Sequence, residues 1–241
     1  MNEYALIFDL DNTLVECSEY YASAKRQFAV LVSDKTGISQ DVALSILDAI
    51  DAESIKIDGF GKTRFPKSFK AASLAIDVLM GVPLNQTRAS KAWTIGNSVF
   101  NAEYPLYPGA WEMLENAKNL GFNLFLCTKG DTTVQMKKVK KNNLHKIFPK
   151  GHIYIDVVKN ETHFQKIINA HGLNPAKVVV IGDSIKDDIG SANKVGLTSV
   201  HISKQQVGGW GYENEENHPT FSLDYIRDLN EVLNRLASKI S

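Results

Sequence analysis

Hydrophobic and polar positions along the chain fall into two patterns that predict different structures. Short, nearly uninterrupted apolar runs, each followed by polar residues or glycine, lie at 5–8, 122–127, 152–155, 177–181 and 197–202. Runs of this length suit strands that are buried on both faces of a sheet. From about residue 106 onward they alternate with stretches of helical periodicity, at about 110–120, 132–144, 161–171 and 185–195. This alternation predicts an α/β fold with a doubly wound parallel sheet.

Residues 15–105 break this alternation and show helical periodicity only. The predicted helices cover 20–32, 40–50, 67–80 and 87–100. We therefore expect a core domain made of residues 1–14 and 106–241, with residues 15–105 inserted as an all-helical domain. The alternative is that these helices pack into one common core. After the last predicted strand the chain has a glycine-rich loop at 207–212 and a short helix at 229–236.

Two carboxylates follow the first apolar run directly. Asp9 and Asp11 are separated by one residue, so both side chains can point the same way. Ligands of open α/β sheets bind beyond the carboxyl ends of the strands, where these residues are expected. Two neighbouring acids repel each other unless a cation or a shared proton is present. An ordinary turn capped by Asn12 or Thr13 is the alternative interpretation.

Three further apolar runs are followed by residues whose side chains could take part in binding or catalysis. The second run ends in Thr128, Lys129 and Gly130, and the run at 177–181 is followed by Gly182 and Asp183. Asp187 and Asp188 come soon after. Lys159 lies in a loop after the run at 152–155, whereas the lysines at 137, 138, 140 and 141 are interpreted as solvated.

This order of motifs resembles the haloacid dehalogenase superfamily, specifically its phosphatases with an aspartate nucleophile. The motifs that carry the resemblance are Asp9-x-Asp11-x-Thr13, Thr128, Lys159 and Gly182-Asp183 with Asp188. The resemblance implies a Rossmann-like core and identifies the helical insert as a cap domain. Such a cap can close over the strand ends and exclude water.

The resemblance also implies a set of metal ligands and catalytic roles. Asp9 would attack phosphorus and form an aspartyl-phosphate, and Asp11 would act as general acid and base. Mg²⁺ would be held by Asp9, the backbone carbonyl of Asp11, and Asp183. Asp188, or alternatively Asp187, would support the waters around the metal.

By the same resemblance, other residues would contact the phosphoryl group. Thr128 and the amide that follows it would bind phosphoryl oxygens, and Lys159 would offset the charge shared by nucleophile and phosphate. Lys129 replaces the small or amide residue often found after the threonine, and so adds positive charge at the rim of the site. Thr13 is expected to orient the turn that carries Asp11.

The predicted loop at 58–65 is the part of the insert best suited to contact a substrate. Its two glycines favour mobility, Lys62 and Arg64 suit an anionic group, and Phe60 offers a stacking surface. A solvated connecting loop is the alternative interpretation.

Composition and charge are those of an ordinary globular protein. Lysine and arginine number 27 and so do the acidic residues, which gives no charge-based indication of a nucleic-acid or membrane partner. Cys17 and Cys127 are expected to be reduced packing residues. The sequence starts directly with a predicted strand and has no apolar run long enough for a membrane helix, so we expect a cytoplasmic protein.

The favoured function is a Mg²⁺-dependent phosphatase acting on a small soluble phosphomonoester. A sugar phosphomutase uses the same two acids, and a phosphonate hydrolase would need a cap lysine such as Lys25, Lys56 or Lys62. A 2-haloacid dehalogenase needs neither Asp11 nor a metal, so the presence of Asp11 and Asp183 counts against it. A non-catalytic binding protein is disfavoured because all the acidic positions are intact.

Overall fold

A computed structural model describes residues 4–203 and 217–238 of the chain. The chain divides into two compact units, one formed by Met1–Ser18 with Tyr104–Ser241 and the other by Glu19–Glu103. We call them the sheet unit and the helical unit. The glycine-rich loop predicted at 207–212 lies outside the described residues. Within the described ranges, no helix is both long enough and apolar enough to cross a membrane.

Within the described part of the sheet unit, six parallel strands form one sheet in the order β3-β2-β1-β4-β5-β6. The strands are β1 (Ala5–Phe8), β2 (Asn123–Lys129), β3 (Ile153–Asp156), β4 (Val178–Gly182), β5 (Thr198–Ile202) and β6 (Phe221–Leu223). The chain starts in the middle of the sheet and builds outward first on one side and then on the other. This order confirms the predicted doubly wound parallel sheet.

Successive residues of β1 point to opposite faces of the sheet, and both faces are covered. All four residues of the strand are buried. Ile7 belongs to a core cluster with Phe164 and Ile167 on one face, whereas the ring of Phe8 contacts that of Phe148 edge-on on the other, with centroids 6.2 Å apart. Burial on both faces explains why β1 has no polar position.

Helices connect the strands of the sheet unit close to the predicted positions. They are α5 (Ala110–Asn119), α6 (Thr132–Lys141), α7 (Glu161–His171), α8 (Ser191–Lys194) and α9 (Leu229–Ser238). The continuous helix predicted at 185–195 is instead a π-helical turn, Ile185–Gly190, followed by the single turn of α8. π-Helical turns are rare and occur frequently at functional sites. Cys17 and Cys127 are buried free thiols, as expected.

The helical unit contains four α-helices, a short 3-10 helix at Val99–Asn101 and no strand, and all of its residues are described. The helices are α1 (Ser18–Thr36), which starts at the boundary between the units, α2 (Gln40–Asp58), α3 (Arg64–Leu79) and α4 (Gln86–Ser98). Its core is aromatic, since the Phe69 ring lies 5.3 Å from that of Phe28 and 4.7 Å from that of Phe65. Gly96 lets α4 approach α3, because a Cβ there would lie 2.9 Å from Cγ of Phe69.

The loop predicted at 58–65 is shorter in the structure, and this changes the interpretation of Arg64. Helix α2 continues to Asp58 and α3 begins at Arg64, so only residues 59–63 connect them. The Arg64 side chain is 6% exposed and forms a buried ion pair with Asp51 of α2. Arg64 therefore joins two helices instead of extending from a mobile loop, while Phe60 and Lys62 are exposed.

Candidate active site

The carboxyl ends of β1 and β4 place the two acidic motifs side by side. Phe8 pairs with Ile181 in register, and the Asp9 N–H donates to the Ile181 carbonyl oxygen at 2.9 Å. Asp9 directly follows β1, and Asp183 directly follows β4. The neighbours of β1 come from opposite halves of the doubly wound sheet, so this edge is its topological switch point, where open α/β sheets bind ligands.

Three carboxylates converge at this edge, and we call Asp9, Asp183 and Asp188 the acidic triad. Each offers an oxygen atom that lies within 4.8 Å of those of the other two. The π-helical turn brings Asp188 back toward the end of β4, where the Ser184 N–H donates to Asp188 Oδ2 at 3.0 Å. The close approach requires glycine at 182, since a Cβ there would lie 2.1 Å from Asp188 Oδ2.

Lys159 supplies the positive charge next to the triad. It precedes α7, is 5% exposed, and its ammonium group forms ion pairs with both Asp9 and Asp188. A further hydrogen bond goes from Lys159 Nζ to the Cys127 carbonyl oxygen at 3.3 Å. A lysine that is almost fully buried needs such partners, because an isolated buried charge is costly.

Burial and mutual repulsion dominate the electrostatics of the site. Burial raises the pKa of Asp9, with Lys159 partly opposing the shift and Asp188 adding to it. Burial and the charges of Asp9 and Asp188 raise the pKa of Asp183 well above its ordinary value. Burial alone would disfavour the charged form of Lys159, but Asp188 and Asp9 outweigh it and raise the pKa of this amine well above its ordinary range.

The residues of the triad fit a divalent metal ion. Three carboxylates face one ammonium group, so the cluster carries excess negative charge when all groups are ionised. Hard oxygen ligands of this kind suit Mg²⁺. Thr13 Oγ1 donates to Asp183 Oδ1 at 3.3 Å, which orients one of the candidate ligands.

The Asp11 side chain contacts two residues of α6. Lys138 Nζ lies 2.7 Å and 2.8 Å from the two carboxylate oxygens, and Gln135 Nε2 lies 3.1 Å from Oδ2. The interpretation of Lys138 as a solvated lysine is wrong, because the residue is only 3% exposed and its Nζ lies 4.5 Å from the centroid of the Tyr104 ring. Burial alone lowers the pKa of Lys138, but the charge of Asp11 outweighs it and raises that pKa.

Thr128 and Lys129 form the other side of this edge. Thr128 is 2% exposed near the end of β2, and its hydroxyl oxygen accepts a hydrogen bond from Gln135 Nε2 at 2.7 Å. Lys129 forms an ion pair with Asp187 of the π-helical turn. Since β2 and β4 flank β1, this pair links the two strands on either side of Asp9.

The structure separates the two acidic residues that were predicted as alternatives for supporting the metal. Asp188 lies within the acidic triad, whereas Asp187 pairs with Lys129. Gln135 and Lys138 were not among the predicted site residues. A signal for them exists in the sequence, since they lie four residues from Val139 and Val134 respectively and so share the buried face of α6.

Comparison with known proteins is consistent with this geometry. A glyceraldehyde 3-phosphate phosphatase from Methanopyrus kandleri is 25% identical over 97% of this chain and 98% of its own length. A ribulose-1,5-bisphosphate 5-phosphatase from Halopiger xanaduensis is 26% identical, with 93% of this chain and 98% of the relative covered.

Solved structures confirm the fold. A haloacid dehalogenase-like family hydrolase from Xanthomonas campestris superposes with a TM-score of 0.76 at 19% identity, covering 99% of this chain and 95% of that one. The family model for haloacid dehalogenase-like hydrolases matches residues 5–196, which include every residue of the acidic triad, Lys159 and Thr128. The chain therefore belongs to the haloacid dehalogenase-like hydrolase family, as its motifs predict.

Proposed function

We propose that this enzyme is a Mg²⁺-dependent phosphatase that hydrolyses a small phosphomonoester through an aspartyl-phosphate on Asp9. The observation that carries the proposal is the buried acidic triad in contact with Lys159 at the carboxyl end of β1. The relatives named as phosphatases cover nearly the whole chain. A 2-haloacid dehalogenase needs neither Asp11 nor a metal, so the presence of Asp11 and Asp183 favours a phosphatase.

The proposed metal ligands are Asp9, Asp183 and the backbone carbonyl of Asp11. When bound, Mg²⁺ would neutralise charge on the phosphoryl oxygens and lower the cost of bringing an anion to three carboxylates. Asp188 would orient the groups around the metal through the contacts that it makes with Lys159 and the Ser184 N–H.

Asp9 and Asp11 would share the chemistry in two half-reactions. In the first, an Asp9 oxygen forms a bond to phosphorus, the ester P–O bond breaks, and the leaving oxygen takes a proton from Asp11. In the second, Asp11 takes a proton from water as the water oxygen bonds to phosphorus. The bond between Asp9 and phosphorus then breaks, and the products are an alcohol and inorganic phosphate.

Three other side chains would hold the transferring phosphoryl group. Thr128 accepts a hydrogen bond from Gln135, which leaves its own hydroxyl proton for a phosphoryl oxygen. Lys159 would balance the charge that Asp9 shares with phosphorus, and Lys129 would contact the phosphate from the rim. Positioning and electrostatic stabilisation of this kind account for most of the catalysis in phosphoryl transfer.

The substrate class that we propose is a short sugar phosphate. The relatives are named for a phosphorylated triose and a phosphorylated pentulose. In our proposal the helical unit, expected as residues 15–105, is a cap domain that contacts the sugar. Phe60 and Lys62 are its exposed candidates for such contacts.

A sugar phosphomutase is the second candidate, because it would use Asp9 and Asp11 in the same roles. The two reactions differ in the acceptor of the phosphoryl group, which is water in one and a second hydroxyl of the sugar in the other. Release of inorganic phosphate from a sugar phosphate, without formation of a positional isomer, would favour the phosphatase.

Asp9→Asn is the variant that tests the proposal. We expect no turnover of p-nitrophenyl phosphate with Mg²⁺, because an amide cannot act as the nucleophile, while the protein stays folded. Asp41→Asn is the matched control, since Asp41 is exposed in the first turn of α2 and its loss should leave activity unchanged. Full activity in Asp9→Asn would remove the nucleophile assignment.

Trapping the covalent intermediate tests the mechanism separately. With p-nitrophenyl phosphate, whose leaving group needs no proton, an Asp11→Asn variant should complete the first half-reaction but lack the base of the second, so the phosphoryl group should remain on Asp9. Mass spectrometry of the quenched enzyme should then show one added phosphoryl group on the peptide that contains Asp9. Strong chloride release from a 2-chloroacid in the presence of EDTA would instead support a dehalogenase.

A further inference from the structure

Gln135 and Lys138 lie one turn apart on α6, and both side chains are turned into the protein. They are 2% and 3% exposed, which is unusual for polar residues of a helix with a solvated outer face. Lys138 contacts both oxygens of Asp11 and lies 3.7 Å from Cys17 Sγ. The ring of Tyr104 covers the ammonium group and fixes it further.

Gln135 connects the two functional sides of the site. Its Nε2 lies 3.1 Å from Asp11 Oδ2, 2.7 Å from Thr128 Oγ1 and 3.2 Å from the Lys129 carbonyl oxygen. A primary amide has only two hydrogens to donate, so the three acceptor oxygens share these two hydrogens. One amide group thereby fixes the distance between Asp11 and Thr128.

We propose that Gln135 and Lys138, here called the α6 clamp, are positioning residues that hold Asp11 in line with the leaving group. The inference rests on the proposed phosphatase function. Asp11 lies in a turn, and its side chain is 28% exposed. Repulsion from the acidic triad favours its rotation outward, and the fixed ammonium group of Lys138 opposes that rotation.

The clamp can hold Asp11 in both protonation states that the two half-reactions need. A carboxylate accepts from Lys138 through both oxygens, as the structure shows. A protonated carboxyl group keeps one oxygen that accepts, so one of the two contacts can remain when Asp11 acts as the acid. The clamp therefore keeps at least one contact to Asp11 in each half-reaction, and that contact is stronger when Asp11 is a carboxylate.

Lys138→Met tests the clamp because it removes the charge and keeps most of the buried length. The readout is kcat/KM on two substrates, p-nitrophenyl phosphate and glycerol phosphate. Nitrophenolate leaves without a proton, whereas an alkoxide needs the proton of Asp11. Since kcat/KM covers only steps up to the first irreversible one, it reports the first half-reaction.

We expect kcat/KM for glycerol phosphate to fall about 100-fold, the cost of misplacing a catalytic group by about 1 Å. For p-nitrophenyl phosphate, kcat/KM should change less than about 3-fold, which is small against the 10²–10⁴-fold contribution of general acid catalysis. Its kcat should fall together with its KM, since release of the phosphoryl group still needs Asp11 as a base. A purely structural role would lower both values of kcat/KM equally.

Two variants serve as controls. Lys138→Arg restores a cation that can contact both carboxylate oxygens, so it should recover part of the lost activity on glycerol phosphate. Lys140→Met carries the same substitution on the exposed face of α6 and should leave both substrates unaffected. In an Asp11→Asn background, Lys138→Met should add little further loss, because the group that it positions is gone.

Gln135→Met keeps the experiment informative if Lys138→Met fails to fold. It should lower kcat/KM for glycerol phosphate more than for p-nitrophenyl phosphate, in the same direction as Lys138→Met. Equal losses on both substrates, or none, in a folded variant would overturn the clamp. A wild-type protein without activity on either substrate would instead overturn the proposed function.

Discussion

Gly182 is the residue whose replacement tests the geometry of the acidic triad most directly. A Cβ at this position would lie 2.1 Å from Oδ2 and 2.2 Å from Cγ of Asp188. Ordinary van der Waals contact begins at 3.4 Å, so the Asp188 carboxylate would have to withdraw by about 1.3 Å. Such a shift would lengthen and weaken its hydrogen bond from the Ser184 N–H and its ion pair with Lys159.

The magnitude of the effect follows from what Asp188 contacts. Gly182→Ala should raise the Mg²⁺ concentration for half-maximal activity about 10- to 100-fold, as expected when a residue that orients metal ligands is displaced. Overpacking at this buried site should also lower the free energy of unfolding by about 1–3 kcal/mol. The assays are a Mg²⁺ titration of p-nitrophenyl phosphate hydrolysis and urea unfolding monitored by circular dichroism.

Gly61→Ala is the control for Gly182→Ala. A Cβ at Gly61 meets nothing nearer than 4.0 Å, so stability and the Mg²⁺ requirement should stay as in the wild type. If Gly182→Ala kept the wild-type Mg²⁺ requirement, Asp188 would have no part in the metal site, and the proposed role of the triad would be refuted.

Two further predictions concern pH and the helical unit. Folding raises the pKa values of Asp9 and Asp183, so the folded state binds more protons than the unfolded state. Without metal, the free energy of unfolding should therefore fall as the pH rises above 3.8, the ordinary pKa of an aspartate. Saturating Mg²⁺ should suppress this fall when thermal unfolding is measured, and a flat pH profile in EDTA would contradict the reasoning. Arg64→Met leaves Asp51 buried without its partner and should cost about 3–5 kcal/mol in urea unfolding. Its KM for an anionic substrate should not change, and a large rise in KM would show that Arg64 contacts substrate after all.

The sheet was predictable because its signals are local. Strand β1 is an apolar run that ends at Asp9, and the run of β4 ends at Gly182, so the same pattern gives both the strand and the end at which its chemistry lies. The predicted ends of the strands are less accurate. β2 includes Thr128 and Lys129, which the sequence placed beyond the strand, because pairing with β3 extends it.

Residues that act through distant partners were not predictable in the same way. Lys138 sits among other lysines in the sequence, and composition alone makes it a surface residue. Its burial depends on Asp11, which is 127 positions away. Arg64 is a similar case, since its partner Asp51 lies on another helix and nothing local distinguishes a paired arginine from a solvated one.

The position of β1 in the sheet also affects how the protein must assemble during synthesis. This strand is made first, yet one of its two neighbours, β4, is made last of the three central strands. Thr13 and Asp183, which share a hydrogen bond, are 170 positions apart. An emerging chain must keep an apolar strand with one unpaired edge from aggregating until residue 182 has been made. Contacts over such long separations form slowly, so the acidic triad, which is the proposed metal site, should be complete only at the final stage of folding.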